Sequence, residues 1–256
     1  SYYDKLIEDI ELLDVAGDEF DIEKVLAGQL TPMQAIEARH AVRSYTDEPL
    51  APEAVEVLRE AIARVNEEAN LNIQLVLDEP RAFTGFKARL VNFTNVRNYL
   101  ALVGPECKEL DGIVGYYGEQ LVLLAQSLGL NSCWVGGTYK VVNRAYNVDL
   151  GQKLTAVVAL GYGATQGTPH RSKAPQEVAP GYADAPEWFQ RGVDAALLAP
   201  TALNQQKFSF ALGVEEDGAP VVRATTKRGA FTQMDLGIAQ CHFEIGAGPA
   251  LYRWAE

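Results

Sequence analysis

Apolar residues recur along this chain with two different periods. In PLAPEAVEVLREAIARVNEEAN, from Pro52 onward, Val55, Leu58, Ile62 and Val65 fall about one turn apart, which predicts an amphipathic helix. DGIVGYYGEQLVLLAQSLGL predicts a second, long and apolar helix that ends near Gly129. Between them NIQLVLDE and NYLALVG read as strands, joined by a region containing GFKARLVNFTNVRN. CWVGG follows the second helix. LTAVVALGYG is almost continuously apolar and β-branched, the pattern of a central strand. ATQGTPHRSKAPQEVAPGYADAPEW is dense in Pro, Gly, Ser and Thr and predicts a connector. Beyond it lie a helix (EWFQRGVDAALLAP), two strands (KFSFALGVEED and APVVRATTK) and a last helix (FTQMDLGIAQCHFEIGAG).

Upstream, residues 1–30 carry nine acidic and two basic side chains, with apolar Leu6, Ile10, Leu13, Phe20, Ile22 and Leu26. The spacing suits one or two short amphipathic helices broken at Gly17, and the composition also suits a disordered acidic extension. Thr31-Pro32 opens a new helix, with Thr as N-cap, Pro at the first position and Met33, Ile36 and Ala41 on its apolar side. EARHAVRSY, residues 37–45, is expected at the C-terminal end of that helix. A weak internal repeat is also visible. REAIARVNEEANLNIQLVLDE, from Arg59, parallels RGVDAALLAPTALNQQKFSFALGVE, from Arg191, and LDGIVGYYGEQLVLLA parallels MDLGIAQCHFEIGA.

Composition narrows the function. The 256 residues have a mean hydropathy of −0.08 and 48% hydrophobic content, the profile of a globular protein of one large or two small domains. No apolar run approaches the roughly 20 residues that span a bilayer, so no membrane association is expected, and no secretory leader is visible. A net charge of −12 and a pI near 4.8 argue against a nucleic-acid partner. Cys107, Cys133 and Cys241 form no CxxC pair, and with three scattered histidines they offer no metal-ligand spacing. A reducing, cytoplasmic setting follows. Cys133 reads either as a small buried residue or as a reactive thiol.

Against that acidic background, EARHAVRSY crowds Arg39, His40 and Arg43 into five positions. On a helix, i and i+4 bring the two guanidiniums to one face, where they could clamp a phosphate; pairing with the helix C-terminus is the other reading. LAPTALNQQKF, residues 198–208, follows a helix stopped by Pro200 and offers Thr201, Asn204 and Gln206 on a loop, either as an Asx-type turn or as partners for a heterocycle edge. In SCWVGGTY, two glycines let backbone approach a flat ligand beside Trp134. TPHRSK adds Arg171 and Lys173, a basic pair on a Pro-rich loop or merely solvated surface.

Taken in order, these stretches resemble the FMN-dependent nitroreductase family: RHAVR for an RRSVR-like opening, APTALNQQ for an APSxxNxQ-like loop, AQSLGLNSCWVGG for a helix ending in LGL before a glycine turn, and ALGYG…PHRSK for a GY strand with a basic exit. The resemblance spans roughly residues 33–256. It implies an α+β fold of antiparallel-rich sheets flanked by helices, and an FMN-dependent oxidoreductase that takes hydride from NADH or NADPH and passes it to a nitroaromatic or quinone-type acceptor. No GxGxxG stands between strand and helix, which suits a nicotinamide that visits the flavin.

Two departures qualify it. Ala41 stands where the family often has Ser. The Asn-bearing loop is missing after the first helix, where ARVNEEANLNIQ stands, and appears instead in the second half. In the ordinary family two subunits share each flavin site, so the displaced loop implies a duplicated, fused pseudo-dimer with one site per chain, either monomeric or a homodimer. The expected division is residues 1–30 as an acidic extension, 31–180 as the half with the arginines and 181–256 as the half with the loop. Carried over by position, Arg39, His40 and Arg43 would contact FMN phosphate, ribityl or pyrimidine, with Arg171 and Lys173 helping at the phosphate. Pro200, Thr201, Ala202, Asn204 and Gln206 would line the ring, and Gly136 and Gly137 would approach N5. No catalytic acid or base and no metal is implied. The same resemblance also admits a different flavin reaction, such as flavin fragmentation or dehalogenation, and a non-catalytic module that binds flavin or a partner.

Overall fold

The computed structural model describes residues 30–214, 218–248 and 252–255; the expected acidic extension lies outside the described residues except for Leu30. Thr31 caps helix α1 (Pro32–Ala38) as expected, in a capping box with Gln34. Helix α2 (Pro52–Ala69) buries Leu58, Ile62 and Val65, and ends at left-handed Asn70. Strand β1 (Gln74–Val76) is short, and a 3-10 turn (Pro80–Phe83) and helix α3 (Phe86–Leu90) lead to strand β2 (Asn98–Pro105). Helix α4 (Leu110–Ser127), strand β3 (Asn131–Val135) and strand β4 (Gln152–Gly161) complete the first part. After the connector, which holds the short helix α5 (Pro175–Val178), come helix α6 (Glu187–Ala196), strands β5 (Phe208–Val214) and β6 (Pro220–Thr226), helix α7 (Thr232–Ala247) and strand β7 (Arg253–Trp254).

The first sheet is antiparallel in the order β1-β2-β4-β3, so the apolar run of β4 is central as its composition predicts. Its alternate side chains feed two cores. Leu100, Leu102, Ala156, Val158 and Leu160 face the helices, whereas Tyr99, Ala101, Val157 and Ala159 face an aromatic layer with Phe83 and Phe93. The second sheet pairs β5 with β6 antiparallel and β6 with β7 parallel. Phe208, Phe210, Phe243 and Trp254 pack between this sheet and α7.

Helices α4 and α7 cross at the centre, and glycines let them touch. A Cβ on Gly115 would lie 2.2 Å from the Met234 carbonyl oxygen, and one on Gly237 would lie 2.1 Å from that of Gly112. No other residue fits at either position.

The segment after α1 departs from the sequence reading. The helix stops at Ala38, and Arg39 is already extended (φ −73°, ψ 121°). Residues 39–45 are tied to three places: Ala41 bridges Ser132 of the edge strand β3, Ser44 bridges Thr94 ahead of β2, and Tyr45 bridges Gly163 just after β4. Burial of Val42 and Tyr45 in the aromatic layer, with backbone bonds from Val42 N–H to Ser132 and from Tyr45 N–H to Thr94, holds the chain out of the helix.

Candidate functional site

Extended chain has a period of two, so Arg39, Ala41 and Arg43 all face one side. That side is a cleft of about 570 Å³. The two arginines therefore do share a face, but through strand alternation and not through helical i, i+4 spacing. His40 points the other way. Its Cβ backs onto Gly167, and burial, then the charge of Arg39, hold its imidazole below the ordinary range.

The wall beside the arginines is the end of β3 and the following turn, Cys133 to Thr138, including Gly136 and Gly137. Burial pushes the Cys133 thiol up, so it sits there as a neutral side chain. The opposite wall is the loop Pro200–Leu203 with Gln205, and helix α7 supplies Met234, Asp235 and Ile238. Lys87 and Val91, in and just after α3, stand with Phe93 along a further side. The cleft thus draws on the beginning, middle and end of the described chain.

The loop is held in a demanding conformation. Leu203, Asn204 and Gln206 have φ of 52°, 52° and 42°, a region costly for residues with a Cβ. Hydrogen bonds impose it. Buried Asp235 accepts from Ala202 N–H (3.0 Å) and Gln205 Nε2 (2.7 Å). Behind the loop, Asn204 Nδ2 and Gln206 Nε2 each donate to the Arg171 carbonyl at 2.9 Å. Lys173 donates to Gln206 through both its backbone N–H and its ammonium. Asn204, Gln206, Arg171 and Lys173 are therefore brought together, but outside the lining of the cleft, where they lock the loop to the connector. Leu203, wholly exposed, and Gln205 take the places on the cleft side.

Sequence reasoning missed Lys87, Phe231, Asp235 and Glu119. Phe231, at φ 61°, lays its ring over Gly136, where an added Cβ would meet it at 2.4 Å. Glu119 is fully buried in α4 behind the cleft; it accepts from Trp134 Nε1 at 2.7 Å, and its carboxylate lies 3.6 Å from Arg39 Nε. Single polar residues inside apolar helices carry no periodic signal, and neither does one lysine on a loop-flanked helix.

Arg39 is 3% exposed, and its Nε and Nη1 donate no hydrogen bond. Both nitrogens are sealed from solvent, a costly arrangement for a guanidinium that also lines the cleft wall.

The family described as "Putative TM nitroreductase" matches residues 31–247. The chain belongs to this nitroreductase family. Among solved structures, a putative nitroreductase of Thermotoga maritima is 18% identical with a TM-score of 0.56, over 91% of this chain and 88% of that one, and bears out the nitroreductase-like α+β fold. A putative nitroreductase of Desulfovibrio desulfuricans, solved in complex with FMN, is 21% identical over 58% of this chain and 95% of its own, with a TM-score of 0.45. Nitroreductase A of Vibrio parahaemolyticus is 16% identical over 58% and 75%, with a TM-score of 0.47. No curated protein matches the chain. The cleft of this nitroreductase-family member combines buried Arg39 and exposed Arg43 with apolar walls from Trp134, Val135, Met234 and Ile238. Among the described residues no cluster of side chains could hold a metal ion, and no helix is long and apolar enough to cross a membrane.

Proposed function

We propose that the chain is an FMN-dependent oxidoreductase that takes hydride from NADH or NADPH and reduces a small nitroaromatic or quinone-type acceptor. The observation that carries this reading is the pair Arg39 and Arg43 lining one side of an otherwise largely apolar cleft, in a chain of the nitroreductase family. When bound, FMN supplies the ring on which hydride is received and from which it is passed on. The chain's own residues bind and orient: Arg39, Arg43 and Lys87 offer the cleft positive charge, which favours phosphate and electron-rich ring edges. Gly136 and Gly137 bring backbone close to the ring, and Pro200, Thr201 and Ala202 flank it from the opposite wall. His40, Arg171, Lys173, Asn204 and Gln206 act behind these surfaces by shaping the arginine segment and the loop.

The chain is also proposed to be a fused pseudo-dimer with one site per molecule. Apart from the short helix α3 between β1 and β2, the order helix, strand, strand, helix, strand recurs, as α2-β1-β2-α4-β3 and α6-β5-β6-α7-β7. In the aligned repeat, the contacts Gly115–Met234 and Gly112–Gly237 are what a pseudo-twofold crossing of equivalent helices produces. The arginines come from the first half, 31–180, and the loop with Asp235 from the second, 181–256.

Incubation with FMN should yield a yellow protein with one flavin per chain, bleached anaerobically by NADH or NADPH and recoloured by a quinone. Arg43→Ala should weaken FMN binding by about 1–3 kcal/mol, the loss of one charge-assisted contact. A chain that takes up no FMN would sink the proposal. A yellow chain that neither nicotinamide bleaches would leave a flavin-binding module without this turnover.

A further inference from the structure

Behind the cleft, Arg39 belongs to a charged cluster whose other members the proposed reaction does not use. Glu119 on α4 and His242 on α7 are fully buried, and Arg39 nearly so. Glu119 Oε2 accepts from Trp134 Nε1, and Oε1 lies 2.9 Å from His242 Nε2 and 3.6 Å from Arg39 Nε. The other imidazole nitrogen, Nδ1, sits 3.1 Å from the Ala195 carbonyl oxygen at the end of α6.

Those contacts count hydrogens. A carbonyl oxygen only accepts, so His242 Nδ1 carries a hydrogen. The contact between Nε2 and Oε1 needs another, on one side or the other. An indole N–H and a guanidinium already address the Glu119 carboxylate, whose oxygens serve both as acceptors. The second hydrogen therefore belongs to the imidazole. With Arg39 and His242 each positive and Glu119 negative, the cluster holds one net positive charge out of water. The nearest acidic groups on α7 do not cancel it. Burial keeps the Cys241 thiol neutral, and Glu244 is spent on Trp254 Nε1 and the Tyr116 hydroxyl. Arg39 is the member that lines the cleft, and its Nε and Nη1 are sealed from solvent without a hydrogen-bond partner in the protein.

We infer that His242 is a buried imidazolium that, through Glu119, positions and charges Arg39 for an anionic group of the ligand in the cleft. His242 touches no ligand; it is a positioning residue. The inference rests on the flavin reading for the ligand's identity, but not for the charge on the histidine. A buried excess charge with one outlet raises the affinity of whatever anion meets Arg39, because it is preorganised and poorly screened. Two groups on one cofactor have that chemistry: the phosphate, and the ring after it has taken two electrons and one proton.

Long-range proton–nitrogen NMR on the 15N-labelled, flavin-free chain reads the charge directly, with the His242→Gln spectrum assigning the signal among His40, His170 and His242. Both His242 nitrogens should carry hydrogens near neutral pH; one bare nitrogen overturns the inference. His242→Gln keeps a donor toward Glu119 and removes the charge, so it should retain bound FMN with an altered preference. If the phosphate meets Arg39, FMN affinity falls about tenfold while riboflavin affinity changes by less than about twofold. If the ring does, both oxidised affinities hold and dithionite titration shows the preference for the reduced ring falling about tenfold, about 30 mV for a two-electron couple. An imidazolium whose loss moves neither ratio also overturns the inference. A wild-type chain that binds neither FMN nor riboflavin would refute the flavin reading instead, and the NMR result would still decide the charge of His242.

Discussion

Asp235 shows how one buried side chain can set the conditions under which the cleft exists. Burial raises its carboxyl to about 6, against the opposing pull of the Ala202 and Gln205 hydrogen bonds and of Lys207. In the unfolded chain an aspartate titrates near about 3.9. Between those values the folded protein binds more protons than the unfolded one, so this group's contribution to stability declines as pH rises through the window and levels off above about 6. The expected loss is about 2–3 kcal/mol. Urea unfolding of wild type and Asp235→Asn, at about pH 4 and about pH 7.5, isolates it. The wild type should lose about that much relative to the variant between the two pH values. A difference independent of pH would show that Asp235 titrates alike in both states.

At the scale of elements, the crossing of α4 and α7 reverses an ordinary rule. Alanine in place of a mid-helix glycine stabilises an isolated helix by about 1 kcal/mol. Here an added Cβ at Gly115 or Gly237 falls about two ångströms from a backbone carbonyl of the other helix, and backbone cannot rotate aside. Gly115→Ala and Gly237→Ala should each destabilise the protein by about 1–3 kcal/mol. Because both act by separating the same pair, the double variant should lose less than the sum of the singles. Thermal or urea unfolding reads this, and a stabilised single variant would mean that the helices are farther apart than described.

The same scale explains the arginine segment. RHAVR was legible as a basic, anion-seeking motif, yet its conformation was not. Thr31, Pro32 and Ile36 announce a helix, and nothing local ends it at Ala38. What ends it is β3, an edge strand about 90 residues away, which offers Ser132 as a backbone partner. Likewise APTALNQQ was recognisable as a loop of the site. Which of its side chains face the cleft depended on Arg171, Lys173 and Asp235, distant residues that absorb the hydrogen bonds of Asn204, Gln206 and Gln205.

For the whole molecule, one core joins the segments before and after the connector: Leu121, Leu124, Phe189, Phe210, Ile238 and Phe243 belong to a single buried cluster. Residues 31–180 alone would therefore expose the apolar face that α4 turns to α7, together with buried Glu119 stripped of His242. That fragment is expected to self-associate and to bind no flavin, as light scattering and an FMN titration would show. A monomeric, cooperatively folding fragment that holds FMN would refute the shared-site architecture. The overall charge of −12 also gives the cleft its contrast: Arg39, Arg43 and Lys87 line it with Asp235 as the one acid among its lining residues.

Periodicity and composition alone determined the order of the longer helices and of strands β1, β2, β4, β5 and β6, the central position of β4 and, with the family motifs, the kind of site to expect. These are consequences of local patterning: which side chains repeat every two or every 3.6 residues, and where Pro and Gly interrupt them. Only the tertiary structure decided that Arg39 and Arg43 share a face by extension, that Asn204 and Gln206 brace a loop from behind, and that Glu119 and His242 meet across 123 residues of chain. Each of those outcomes turns on which distant group satisfies a buried donor, acceptor or charge, and chain folding alone sets that pairing.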